Sequence, residues 1–196
     1  MLPDRVTSHP VLLRLFTPAD APGVQALVAD AQVAEPTASI PLPYSPGAAT
    51  AWIATHDADR QRGTLYTYAI TRTDGAALIG AITLRPVADL HDSIGYWIGR
   101  PYWGHGYATA ATMAITALAF GYLDCETLTA SHLERNPASA RILEKCGFTL
   151  LRTVMREHRG QVEAFCVRGL SRDVWELRIG GSPGAGLPAE DSTADR

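Results

Sequence analysis

Lysine is almost missing from this 196-residue chain: Lys145 stands alone, and the rest of the 17 basic residues are arginine. Against 20 acidic residues they leave a formal net charge of −3, which argues against a surface built to track nucleic-acid phosphates. Beside so much Ala, Gly and Pro, the scarcity of lysine reads as a GC-rich coding bias. Cysteine is nearly as rare. Cys125, Cys146 and Cys166 are an odd number without CxxC or Cys/His spacing. That excludes a disulfide scaffold, offers no metal-ligand pattern, and reads as free thiols in a reducing compartment, with Cys146 and Cys166 packed. No apolar leader opens the chain, since Met1 to Arg14 carries charges and prolines. The uncharged stretch Gly106 to Leu123 touches the lower length limit of a membrane span. Its three threonines and two glycines, and Asp124 and Glu126 just beyond, make it a buried core helix instead. The expectation is a cytoplasmic protein with neither a membrane nor a nucleic-acid partner.

What is present is a hydrophobic fraction of 46% on a length typical of one domain, enough to bury a core. Val11 to Phe16 is a short apolar strand. Thr17-Pro18-Ala19-Asp20 supplies an N-cap, a first-turn proline and an acid three residues on, so a helix follows with Val24, Leu27, Val28 and Ala31 on one face. The prolines of Ile40-Pro41-Leu42-Pro43-Tyr44 force an extended loop, and Ala48 to Thr55 resumes a short helix. Leu65 to Ile70 and Ala77 to Val87 form a hairpin about Thr73-Asp74-Gly75. Ser93 to Ile98 is the next strand, then a tight loop and the apolar helix, marked on one face by Ala111, Ile115, Leu118, Ala119 and Tyr122. Thr127 to Leu133 alternates as a strand. Asn136-Pro137 opens a helix that Gly147 closes, and strands Thr149–Arg156 and Val162–Leu170 flank a turn at Arg159-Gly160. Residues 179–196 read as a disordered polar tail behind one α+β domain, 1–178.

Chemistry concentrates where strand, loop and helix meet, across Trp103-Gly104-His105-Gly106-Tyr107-Ala108. A helix N-terminus carries unpaired amides and the positive end of the dipole. Small residues there let an anion reach the backbone, so a pyrophosphate ligand and a simple sharp turn are the two readings. No GxxxxGK[ST] is present, which removes an NTPase loop. Gly-His-Gly-Tyr-Ala-Thr imitates a dinucleotide fingerprint, but Thr109 stands where Gly or Ala belongs, and an antiparallel meander precedes it where a βαβ unit would be required.

Ile94-Gly95-Tyr96-Trp97-Ile98 followed by Tyr102 to Thr109 resembles the acetyl-CoA motif of the GNAT acetyltransferase superfamily. Asn136-Pro137-Ala138-Ser139-Ala140-Arg141, ending in Glu144-Lys145-Cys146-Gly147-Phe148, resembles its second cofactor segment. Ile40 to Tyr44 and Arg172-Asp173-Val174-Trp175 are similar to the ribosomal-protein, RimJ/RimL-like branch, and the likeness spans about residues 10 to 178. It implies a single GNAT-like α+β domain: a mixed, mostly antiparallel twisted sheet of about seven strands, with helices on both faces. It implies acetyl-CoA as donor and no metal. Backbone groups of Trp97, Ile98 and Gly99 would meet the pantetheine and acetyl carbonyl. Amides from Trp103, Gly104, His105, Gly106, Tyr107 and Ala108, in the motif that Thr109 completes, would hold the pyrophosphate, and Asn136 the cofactor arm. Pro101 departs from the family, which often has Arg or Gln there.

Transfer to an amine needs a neutral nucleophile, a polarised carbonyl and an acid for the leaving thiolate. Many GNAT enzymes place a tyrosine acid seven residues after the asparagine, but that position is Leu143. The resemblance puts Ser139 near the thiol and Glu157 as base, with Asp92 and His91 in reserve. His132 is either a proton relay or a packed histidine; Glu163 is a structural bond-maker, and His105 faces solvent. The expected activity is direct acetyl transfer in a ternary complex, with no covalent enzyme intermediate, to a primary amine, foremost a protein N-terminus. The alternatives are a small-molecule acceptor (polyamine, amino acid or antibiotic) and a non-catalytic acyl-CoA sensor. A homodimer through an edge strand stays open.

Overall fold

The alternating apolar strands of the N-terminal half form one antiparallel sheet. In the computed structural model, which describes residues 2–37, 39–86 and 92–180, its strands are β1 (Arg5–Ser8), β2 (Val11–Arg14), β3 (Tyr66–Arg72), β4 (Gly75–Leu84) and β5 (Ile94–Ile98), in that order. The hairpin about Asp74-Gly75 joins β3 to β4. A second antiparallel sheet holds β6 (Thr127–Leu133), β7 (Thr149–His158) and β8 (Gln161–Ser171), ordered β6-β8-β7.

The helices sort to the two faces by their apolar residues. The long helix is apolar on nearly every side, so it lies buried: Ala111, Ile115, Leu118 and Ala119 join Val11, Leu13, Tyr68, Ile82 and Leu84 in the main core. A smaller core on the opposite face gathers Val24, Val28, Ala49 and Ile53, with Trp97 and Leu78 packed against it. Successive residues of β5 therefore diverge, as the strand period requires: Trp97 packs on the small core and Tyr96 on the main one.

The helices are α1 (Ala21–Val28), α2 (Ala31–Ala34), α3 (Ala48–Ile53), α4 (His56–Arg62), α5 (Tyr107–Tyr122), α6 (Pro137–Lys145) and α7 (Arg172–Arg178). Ahead of α1, Asp20 accepts the Thr17 backbone N–H at 2.8 Å and holds Arg14 at 2.7 and 2.8 Å. Helix α6 starts on Asn136, whose side chain accepts the Ser139 N–H at 3.1 Å. It ends at Gly147 (φ 95°), where the Gly147 and Phe148 amides each return to the last turn at 3.0 Å.

The junction of the two sheets positions everything that follows. Ser93 and Thr129 exchange backbone-to-hydroxyl bonds at 3.1 and 3.3 Å, clasping β5 to β6 near their starts. Beyond that clasp the two strands share no ladder among the described residues. The single sheet of the sequence reading thus divides at β5/β6, every ladder is antiparallel, and an open seam is left between the halves. Several short elements differ from expectation. The first strand stops at Arg14, β4 runs 75–84, and β1, α2, α4 and α7 had no periodic signal because they are four to seven residues long. Tyr122 is exposed and Cys166 half-buried, whereas Cys125 and Cys146 are the buried thiols. His91 and the tail from residue 181 lie outside the described residues.

Candidate active site

The loop after β5 turns on two glycines. Gly104 (φ 81°) and Gly106 (φ 78°) adopt the left-handed conformation, and a Cβ at either would meet nothing within 4 Å. Conformation, not crowding, selects glycine at both. Gly106 is the N-cap of α5, so no side chain caps the helix, and no acid sits in its first turn. The amides of Tyr107, Ala108 and Thr109 are left for an external partner at the positive end of a 16-residue helix. That is an anion cradle, and it fits a pyrophosphate without a basic side chain. His105 is exposed and stacks on Tyr107 at 5.5 Å between centroids.

The loop is tied back to the strand. Trp103 donates its indole N–H to the Ile98 carbonyl at 2.6 Å, and the Tyr102 amide bonds Gly99 O at 2.9 Å. The Ile98 carbonyl expected for the pantetheine arm is therefore already engaged by Trp103. Because β5 is the edge of its sheet, its outward backbone groups face the seam. Gly99 sits hard against α1, where a Cβ would come 2.6 Å from a Leu27 methyl.

Across the seam, Ser139 lies in the first turn of α6. Its Oγ is 2.8 Å from the hydroxyl of Tyr96 on β5. Burial pushes the Tyr96 phenol well above the usual tyrosine range, although its bond to Ser139 acts the other way. Leu143, where a tyrosine acid would stand, is fully buried. Burial also pushes the Cys146 thiol up to about 12 and raises that of Cys125. Desolvation disfavours the nucleophilic thiolate at both positions.

The candidate bases fare differently. Glu157 is exposed near the tip of the β7–β8 hairpin, with no ion-pair partner among the described residues. Asp92, beside the clasp, accepts a bond from Ser131 and lies 3.8 Å from Arg156, whose guanidinium covers the Phe165 ring. His132 is a packed histidine. A carbonyl only accepts and a guanidinium only donates, so Nδ1–H goes to Leu133 O at 2.9 Å and Nε2 accepts from Arg168 at 3.1 Å. Glu163 is held by Arg135 at 2.6 and 2.9 Å, and the same guanidinium holds Glu35. Arg135 keeps both carboxyls below the usual range. With His158 these two acids form the one cluster of metal-ligand type among the described residues. Arg135 already neutralises it, and His158 Nε2 is engaged at 2.8 Å with Glu35 O.

Two participants escaped the sequence reading. Tyr96 stood there as a strand and motif residue without a role of its own, and its contact with Ser139 on α6 was not foreseen. Arg135 gave no signal, since its partners lie 100 and 28 residues away.

A profile of the acetyltransferase (GNAT) domain matches residues 11–149. The chain belongs to this family and is an acetyl-CoA-dependent N-acetyltransferase, with acetyl-CoA as its donor. Solved structures share its fold. RimL, an alpha-N-protein acetyltransferase of a ribosomal protein, in complex with coenzyme A, superposes with a TM-score of 0.75 at 16% identity over 87% of this chain and 99% of that one. RimJ of Mycobacterium smegmatis, in complex with a CoA disulfide, gives 0.72 at 21% over 90% and 92%. A microcin self-immunity acetyltransferase in complex with acetyl-CoA and AMP gives 0.71 at 16% over 83% and 93%.

Proposed function

We propose that the chain transfers the acetyl group directly to a primary amine in a ternary complex, and that the acceptor is the N-terminal amine of a protein. The amides of Tyr107, Ala108 and Thr109 hold the pyrophosphate, with the Gly104–Gly106 turn shaping the approach. The outward edge of β5 takes the pantetheine arm through the Ile98 N–H, the Ile98 carbonyl being held by Trp103 and the Gly99 N–H by Ile79. The Asn136 side-chain amide N–H groups serve the same arm, because only its oxygen is used in capping α6. Bound there, acetyl-CoA supplies an activated thioester, and Ser139 meets its sulfur. Direct transfer is supported by the burial of Cys125 and Cys146, which disfavours their thiolates.

The acceptor reading rests on one observation. The candidate bases among the described residues are carboxylates, Glu157 exposed at a hairpin tip and Asp92 bonded by Ser131 beside Arg156. A carboxylate is a weak base against a lysine ammonium, whose pKa is about 10.4. A protein N-terminus, with a pKa near ~8, is already partly neutral at pH 7 and asks only for a weak base. Glu157 has that role in this reading, with Asp92 in reserve. RimL, acting on a protein alpha-amine, supports the same acceptor by analogy of fold.

The test is a comparison of initial rates with acetyl-CoA and three acceptor sets. These are peptides with a free N-terminus, the same peptides N-terminally blocked but carrying lysine, and small amines (polyamines, amino acids, aminoglycoside antibiotics). The expected result is the highest kcat/KM on free peptide N-termini. A clear preference for a small amine would replace the protein acceptor with the small-molecule one.

A further inference from the structure

Leu143 leaves α6 without a tyrosine for the departing sulfur, yet the structure brings a tyrosine hydroxyl to Ser139, one turn earlier on that helix, from the opposite wall. Building on the reading of Ser139 above, we propose that Tyr96 is a positioning residue that aims the Ser139 hydroxyl proton at the sulfur of the leaving coenzyme A. The phenol proton of Tyr96 has two acceptors in reach, Ser139 Oγ at 2.8 Å and Ser139 O at 3.5 Å. The shorter contact is the better bond. With Tyr96 donating to Oγ, the proton on Ser139 must point elsewhere, and the seam between β5 and β6 is the open direction. The pair is held from both sides. Tyr96 is fixed by its ladder with Ile82, and Ser139 by the Asn136 cap on its backbone amide.

The Tyr96 proton is committed to Ser139 Oγ, so Tyr96 acts on the sulfur only through Ser139. As the amine nitrogen bonds the carbonyl carbon, the C–S bond breaks with its electron pair on sulfur. Ser139 hands its proton to that sulfur and is reprotonated through solvent by the proton the nitrogen releases. The sum is one amide and one thiol, with no net charge left on the enzyme. Tyr96 and Ser139 together thus supply from two elements what one residue of α6 supplies elsewhere in the superfamily.

Three variants test this: Tyr96→Phe, Ser139→Ala and the double substitution. Tyr96→Phe removes one hydroxyl and keeps the ring. It is expected to lower kcat roughly tenfold with the acetyl-CoA KM unchanged, and to cost nothing further in the Ser139→Ala background. A wild-type kcat in Tyr96→Phe beside a slow Ser139→Ala overturns the role of Tyr96 and leaves Ser139 standing. A wild-type kcat in Ser139→Ala removes the Ser139 reading and the Tyr96 role with it. Independent additive losses, or a rise in KM alone, would make Tyr96 merely structural. A measurement on the unaltered enzyme covers a misfolded variant. The Tyr96 Cζ resonance is expected to shift with coenzyme A and not with desulfo-coenzyme A, and equal shifts contradict the proposal.

Discussion

The indole of Trp103 donates to the carbonyl of Ile98 at 2.6 Å, so the loop that leaves β5 is tied to the strand it has just left. The ring is half in solvent, 46% exposed, and contributes more through this bond than through burial. Trp103→Phe removes the donor and keeps an aromatic surface. The loss of one such bond, about 1 kcal/mol, loosens the turn ahead of the α5 amides. Acetyl-CoA affinity is expected to fall about fivefold by calorimetry. An unchanged affinity would show that the loop holds its shape without this tie.

Arg135 stands between Glu35 and Glu163, joining the segment after α1 to β8 one residue before the cap of α6. Arg159 holds the same segment, donating to the carbonyls of Ala34 at 2.8 Å and Ile40 at 2.7 Å. Arg135→Ala leaves the carboxylates of Glu35 and Glu163 facing each other, and the expected outcome is a less stable fold at neutral pH. Because Arg135 holds both glutamates below their ordinary range, the stability they contribute is present above that range. It is lost as pH falls through the depressed values. The acid limb of the stability curve should flatten in the variant, which thermal melts between neutral and acid pH would register.

His56 is buried with neither ring nitrogen partnered among the described residues, edge-on to Phe16 at 5.2 Å and Trp52 at 4.5 Å. Burial lowers its pKa, against the pull of Asp59 and Asp57. The folded chain therefore prefers the neutral ring. Its stability is whole above the ordinary histidine range and declines as pH drops through it, where the unfolded chain takes up the proton first. His56→Phe keeps the ring contacts and removes the unpaired nitrogens. It should raise stability by about 1 kcal/mol at neutral pH and by more near pH 5. A less stable variant at both values would show that the nitrogens are satisfied after all.

Much of this was legible from residues in order. Thr17-Pro18, Asn136-Pro137 and Gly147 marked helix ends because capping is local chemistry, and Asp74-Gly75 marked a hairpin for the same reason. Both candidate cofactor segments stood out because each is local: small residues shape the Gly104–Gly106 turn, and Asn136-Pro137 caps α6. The relations that cross the fold stayed hidden. No spacing says that Tyr96 will meet Ser139, 43 residues on, or that Trp103 will reach back for Ile98. Resemblance alone ranks Glu157 as base and Asp92 as reserve. They differ only once the clasp brings Ser131 and Arg156 to the one and the hairpin tip carries the other into solvent.

The account turns on the free amides at the start of α5, and calorimetric titration with acetyl-CoA of the wild type and of Gly106→Glu, with NADH as control, tests them most directly. The substitution sets a carboxylate against the pyrophosphate and forces a side chain into the left-handed conformation, at a cost of about 1 kcal/mol in stability. Tight binding of acetyl-CoA alone by the wild type, and none by the folded variant, is the predicted result. Equal affinity in a folded Gly106→Glu variant would contradict it and reduce the Gly104–Gly106 loop to a turn.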